Sequence, residues 1–159
     1  MNTQKPPVHP RRFSYFSKKI NMEKEEVLKL TNAICKNTLM ETLKIEFTDV
    51  GADFLTARMP VTKTVYQPDG VLHGGATAAL AESVGSAAVF ILNKNPKAIV
   101  RGIEISANHL KSVKSGYVYA TARPINLGKT IQLWEIKVED DTQQLISICK
   151  LTTYTRYKE

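Results

Sequence analysis

The sequence predicts an α+β fold, with an antiparallel sheet of about six strands wrapped around one long central helix and a short N-terminal helix in front. Three observations carry this. Two runs of alternating apolar and polar residues precede a long Gly/Ala-rich helical stretch, and four strand-like runs follow it. The turns between the later runs are of hairpin length, which excludes the long crossovers that parallel strands need. The central helix is small or apolar all round, so it has to be enclosed, by a sheet that curls over it and by a second subunit on the remainder. A dimer is therefore the minimum assembly expected.

The elements follow in order. Residues 1–22, with Pro6, Pro7 and Pro10 among scattered basic groups and no sustained period, read as a flexible basic extension ahead of a single domain over 23–159. From Glu23 to Lys36, Val27, Leu28, Leu30, Ala33 and Ile34 recur at mostly helical spacing, and Glu23, Glu25 and Glu26 complement the dipole of the first turn. Leu43, Ile45 and Phe47 then alternate with polar residues, Gly51-Ala52-Asp53 turns, and Leu55, Ala57 and Met59 alternate again, which is a hairpin. Pro68-Asp69-Gly70 marks 62–72 as a loop leading into the central helix, and Asn93-Lys94-Asn95-Pro96 ends that helix. The four later runs are Ala98–Leu110, Gly116–Leu127, Thr130–Val138 and Leu145–Tyr157. Turn signals separate them at Lys114-Ser115-Gly116, Leu127-Gly128-Lys129 and Glu139-Asp140-Asp141.

The chain has 159 residues, 43% of them apolar and 23% charged, which suits one domain with a real core. Its formal charge of +7 raises polyanions as partners. Five of those units belong to Lys5, Arg11, Arg12, Lys18 and Lys19, leaving the domain at +2. Aromatic and basic residues do not interleave on any strand as base-stacking platforms require, so a nucleic-acid partner is not expected. Cys35 and Cys149, 114 positions apart, match no metal-ligand spacing and read as free thiols, with no metal site. Phe13-Ser14-Tyr15-Phe16-Ser17 followed by charge is not the apolar core of a signal peptide, and a cytoplasmic location is expected. Val71 to Leu92 is long enough to cross a membrane. Against that, Glu82 lies near its middle, where an acidic residue costs about 2.5–3.5 kcal/mol, and Gly, Ala, Ser and Thr outnumber Leu and Ile. The stretch reads as a core helix, with no membrane partner.

The chemistry lies in Gln67 to Ser86. Glu82 is a carboxylate on an apolar helix with Ala78, Ala79 and Val89 on its own face, and such a group is rarely buried unless it is paired or functional. About two turns upstream, His73-Gly74-Gly75 opens the same helix. A helix N-terminus offers unpaired N–H groups and positive dipole, and glycine lets a ligand approach the backbone, which together suit a developing oxyanion. On its own His73 is as well explained as a capping or packing side chain. The carboxylate and the N-terminus of one helix point the same way only in part, so the two are expected to meet across a subunit interface.

Gln-Pro-x-Gly-x-x-His-Gly-Gly-Ala followed by Leu-Ala-Glu-Ser-x-Gly-Ser runs without gaps from Gln67 to Ser86. With Gly102 to Ser112 and Pro124 to Lys129, it resembles the hotdog-fold acyl-CoA thioesterases, in particular the PaaI-like branch. That branch includes hydrolysis of 1,4-dihydroxy-2-naphthoyl-CoA in menaquinone biosynthesis and proofreading in enterobactin synthesis. The resemblance implies the hotdog topology over about Leu43 to Tyr154 and hydrolysis of an acyl-CoA, aromatic by preference, with 1,4-dihydroxy-2-naphthoyl-CoA as first candidate. It implies Glu82 as catalytic nucleophile or general base, the Gly74 N–H as the group polarising the thioester carbonyl, Gln67 and His73 as orienting side chains, and Ser86 as a hydroxyl positioning carboxylate or water. It also implies that coenzyme A lies against Gly102, against His109, Leu110, Lys111 and Ser112, and against Asn126, Leu127, Gly128, Lys129 and Thr130. Lys111, Lys114 and Lys129 are then point charges for its phosphates. No cofactor is implied beyond the coenzyme A of the substrate, and a homotetramer built as a dimer of dimers is expected. Phenylacetyl-CoA, carrier-bound aryl acids and a non-catalytic acyl-CoA-binding role are the alternatives. Asp69 departs from the pattern, standing where an apolar or aromatic residue is common, and the extension before Glu23 has no counterpart.

Overall fold

The computed structural model describes residues 24–92 and 98–157. The extension expected over 1–22 and the helix stop expected at 93–96 lie outside them. In chain order the elements are α1 (Lys24–Ala33), α2 (Leu39–Thr42), β1 (Glu46–Val50), β2 (Leu55–Pro60), a 3-10 turn (Lys63–Val65), α3 (Gly74–Leu92), β3 (Ala98–His109), β4 (Tyr117–Leu127), β5 (Ile131–Asp140) and β6 (Leu145–Tyr157). All six strands join one antiparallel sheet in the order β1-β2-β4-β5-β6-β3.

Strand alternation makes the core. Gln132, Trp134, Ile136 and Val138 of β5 point inward with Cys149, Leu151, Thr153 and Thr155 of β6, while the residues between them are partly or fully exposed. The buried stripe of α3, including Leu80, Ala81, Val84 and Ala88, lies on strands β2 to β6. Close approach is set by a missing side chain, since a Cβ on Gly85 would come within 2.5 Å of Leu151. By length and composition α3 is apolar enough to cross a membrane, and here it is the helix over which the sheet curls.

Two boundaries differ from expectation, each for a local reason. The run expected to start a strand at Leu43 first makes the short helix α2, whose Thr38 Oγ1 accepts from the Met40 N–H; Lys44 then takes φ +54° before β1 begins. The turn expected at Glu139 falls later because Asp140, the last residue of β5, organises it. One carboxylate oxygen accepts the Thr142 and Gln144 N–H groups and the Thr142 hydroxyl at 2.7–3.0 Å.

The two edges of the sheet are finished differently. At β1 the Asn32 side chain on α1 accepts from the Phe47 N–H at 2.8 Å and donates to the Phe47 carbonyl at 3.0 Å, and a register irregularity between Phe47 and Asp49 follows. At the other edge β3, with 12 residues, pairs among the described residues with β6 alone and exposes residues 101–104.

Candidate active site

The sequence from Gln67 folds into a tight turn. The Gly70 N–H reaches the Gln67 carbonyl, the Gln67 N–H reaches the Val71 carbonyl, and Gly70 takes φ +80°. The His73 N–H then bonds the Val65 carbonyl, and α3 begins at Gly74. His73 caps that helix: its Nδ1 accepts from the Gly75 N–H at 2.8 Å, and its carbonyl accepts from Ala76 and Thr77 at 3.0 and 3.1 Å. His73 thus fills a capping role through Nδ1. Among the described residues the Gly74 N–H meets no acceptor.

The far end of β3 closes on this helix start. A Cβ on Gly74 would lie 2.7 Å from His109 Nε2, so the His109 ring rests directly on the glycine backbone. Gln67, Gly74 and the segment His109, Leu110, Lys111, Ser112 line one cavity of ≈ 200 Å³. Residues 110–112 are held there because the Leu110 and Lys111 N–H groups reach the Ile146 carbonyl and the Leu72 N–H reaches the Val113 carbonyl. Six residues separated by up to 45 positions are therefore brought together. The cavity is smaller than the roughly 300–1,000 Å³ usual for a small-molecule site.

Glu82 and Ser86 are elsewhere. Glu82 lies about 12 Å along the helix axis from Gly74, eight residues at 1.5 Å each. In the protomer Glu82 is exposed, on the side of α3 that faces the edge strand β3. Its neighbour is Gly102: a Cβ there would come within 2.7 Å of Glu82 Oε1. Gly102 is thus gathered with Glu82 and not with 109–112, about 23 Å away along β3. Half-buried Ser86 follows one turn beyond Glu82 on the same side.

The turn Asn126, Leu127, Gly128, Lys129, Thr130 leads into β5 near the Gly102 end of the sheet, where Tyr154 of β6 stands opposite both Ile131 and Arg101. It is anchored from inside the core. The Gln132 amide donates to the Gly128 carbonyl at 2.9 Å and accepts from the Thr153 and Thr155 hydroxyls at 2.8 and 3.1 Å. All three side chains are buried, so the network exchanges water for a full set of partners. Sequence reasoning missed these residues. Their signal was polar side chains at inward phase on alternating strands. Lys114 and Lys129 are exposed, and their carbonyls accept from Tyr66 Oη and Tyr157 Oη respectively. Cys149 is no candidate nucleophile, because burial pushes its thiol pKa up.

Comparison with known proteins identifies the family. The thioesterase superfamily profile matches residues 69–147. The chain is 42% identical over 126 residues to the proofreading thioesterase EntH of Cronobacter turicensis, covering 79% of this chain and 91% of that one. It is 39% identical over 126 residues to the 1,4-dihydroxy-2-naphthoyl-CoA hydrolase of Escherichia coli, covering 79% and 92%. Among solved structures, a thioesterase from Haemophilus influenzae superposes with a TM-score of 0.79 at 41% identity, covering 82% of this chain and 90% of that one. At 39–42% identity over 79% of the chain, these relatives place it in the thioesterase superfamily, and the six-stranded sheet around the glycine-opened helix is the hotdog fold.

Proposed function

We propose that the protein hydrolyses the thioester of an aromatic acyl-CoA, 1,4-dihydroxy-2-naphthoyl-CoA first among them, at a site shared by two protomers in the cytoplasm. One observation carries this reading: the electrophile-binding end, with Gly74 and its cavity, and the carboxylate, Glu82 beside Gly102, lie at opposite ends of β3, an edge strand among the described residues. Two copies of β3 paired antiparallel across a twofold axis set the 102 end of one against the 109 end of the other. That joins a carboxylate to a Gly74 N–H without moving either, and a dimer of dimers gives the tetramer.

A thioester is already activated, so a positioned carboxylate and one electrophilic N–H suffice. The Gly74 N–H receives the carbonyl oxygen as negative charge develops on it. Glu82 acts either as nucleophile, forming an acyl anhydride that water cleaves, or as general base that takes a proton from the attacking water. In both routes the C–S bond breaks with its electron pair on sulfur and the thiolate of coenzyme A leaves. Gln67 and Ser86 orient carbonyl, water or carboxylate, while Lys111, Lys114 and Lys129 meet the phosphates of coenzyme A, which is substrate and not cofactor.

Release of coenzyme A from 1,4-dihydroxy-2-naphthoyl-CoA, benzoyl-CoA and phenylacetyl-CoA, with an aryl-loaded carrier protein alongside, tests the reading. Turnover of the aromatic CoA esters is expected. Faster turnover of the carrier-bound substrate redirects the assignment toward proofreading, which the similarity to EntH favours. Tight binding without turnover defeats the enzymatic reading and leaves an acyl-CoA-binding module.

A further inference from the structure

His109 has a second ring nitrogen that the proposed chemistry does not use. Its Nδ1 lies 3.1 Å from the hydroxyl of Ser147, the residue opposite it on β6, which is 0% exposed. The same hydroxyl lies 3.0 Å from the Asn108 carbonyl, a group that can only accept. Ser147 has one hydroxyl proton. With that proton given to Asn108, the contact to His109 is a hydrogen bond only when Nδ1 carries a hydrogen and donates it to the Ser147 oxygen. The Cys149 thiol, 3.6 Å from the same oxygen, makes no competing demand, since it can donate its own proton there. A neutral ring held in this way leaves Nε2 with a free lone pair, and Nε2 is the atom that rests against Gly74 in the cavity. His73 is set the opposite way: its Nδ1 accepts from Gly75, so its hydrogen lies on Nε2.

We propose that Ser147 is a positioning residue that locks His109 in the Nδ1–H form, so that the cavity presents an acceptor, His109 Nε2, next to a donor, the Gly74 N–H. The ligand chemistry matching this pair is a carbonyl with an amide N–H close by. A pantetheine thioester has that chemistry, because its nearest amide N–H is two carbons from the sulfur. The acceptor makes the site selective for thioesters of pantetheine over thioesters of simple alkyl thiols. The inference rests on the thioesterase reading for its substrate but not for its tautomer.

The test is a ring-nitrogen NMR spectrum of the full-length ¹⁵N-labelled protein about two units above the ordinary imidazole pKa of about 6.5. The expected pattern is protonated Nδ1 and bare Nε2 for His109, with the reverse for His73. Hydrogen on Nε2 of His109 overturns the proposal in the unmodified protein, whatever any variant does. In Ser147→Ala the His109 preference should be lost, and in Ser147→Thr it should be restored; an unchanged pattern in Ser147→Ala refutes the role of Ser147. In kinetics, the wild-type kcat/KM for an N-acetylcysteamine thioester should exceed that for the propanethiol ester of the same acid by roughly three- to tenfold, the size of one hydrogen bond. Ser147→Ala should bring the ratio towards one, and an unchanged ratio contradicts the selectivity. A correct NMR pattern with no turnover of either thioester would defeat the thioesterase reading and leave the tautomer intact.

Discussion

The two halves of the candidate site are furnished to different degrees within one protomer. At the start of α3 each group has a holder. His73 closes on Gly75, His109 lies on Gly74 and bonds Ser147, and Gln67 sits in a tight turn. Eight residues on, Glu82 is exposed against the bare backbone of Gly102. The sheet repeats the contrast, since β1 is met by the Asn32 amide and the free side of β3 meets no other strand among the described residues. A catalytic carboxylate needs its water and its pKa controlled by its surroundings. On the proposed reading, the difference locates what a second protomer would add: the surroundings of Glu82, beside an edge that another β3 would cover.

Substitutions at the two halves should break the contrast to different extents. The largest effect is expected for Glu82→Gln, which keeps the shape and removes the base: kcat should fall roughly 10²–10⁴-fold with coenzyme A esters. A rate within a few fold of wild type would remove Glu82 from the mechanism. Next is Gly74→Pro, which deletes the N–H at a first-turn position where proline is tolerated, with an expected loss of about 10²–10³-fold. Gly74→Ala keeps the N–H but pushes on the His109 ring, and it should lose less. Equal losses in the two variants would mean that packing, not the donor, matters there.

Smaller effects should come from the supports. Gln132→Leu strands the Thr153 and Thr155 hydroxyls and the Gly128 carbonyl, a loss of about 1–3 kcal/mol in chemical denaturation, and it should raise KM for coenzyme A esters more than it lowers kcat. An unchanged KM would detach the 126–130 turn from coenzyme A. The smallest effect is expected for Asp140. The Thr142 hydroxyl and then the Gln144 N–H hold its carboxyl below the usual range. A depressed folded-state pKa contributes stability above the unfolded value near 3.9 and loses it as pH falls through the folded value. Asp140→Asn should thus lower the melting temperature slightly at neutral pH and flatten its acid dependence, with activity unaffected; an identical acid profile would contradict the role of the turn.

Most of the fold was legible because strands of period 2 and one uniformly apolar helix are strong patterns. The hairpin, the loop at 62–72, the helix start at Gly74 and four later strands appear near their expected places. Boundaries shifted where single side chains intervened, Thr38 at α2 and Asp140 at the end of β5, since such caps depend on local geometry that periodicity does not encode. The residues expected to form the site fall into two places in the protomer. Gln67, Gly74 and 109–112 line one cavity, whereas Gly102 stands with Glu82, a separation that depends on which way β3 runs past α3. Ser147 and Gln132 escaped notice because their roles are defined by partners 38 positions away on β3 and about 20 positions on along β6.

Subunit mixing tests the shared site most directly. Glu82→Gln and Gly74→Pro, each inactive alone, are co-expressed in equal amounts and the mixed assemblies assayed for release of coenzyme A. With each site drawing its carboxylate from one protomer and its N–H donor from the other, random assortment restores one site in four, and about a quarter of the wild-type rate should return. No recovery, with mixed assemblies shown to have formed, would mean that carboxylate and donor act within a single chain.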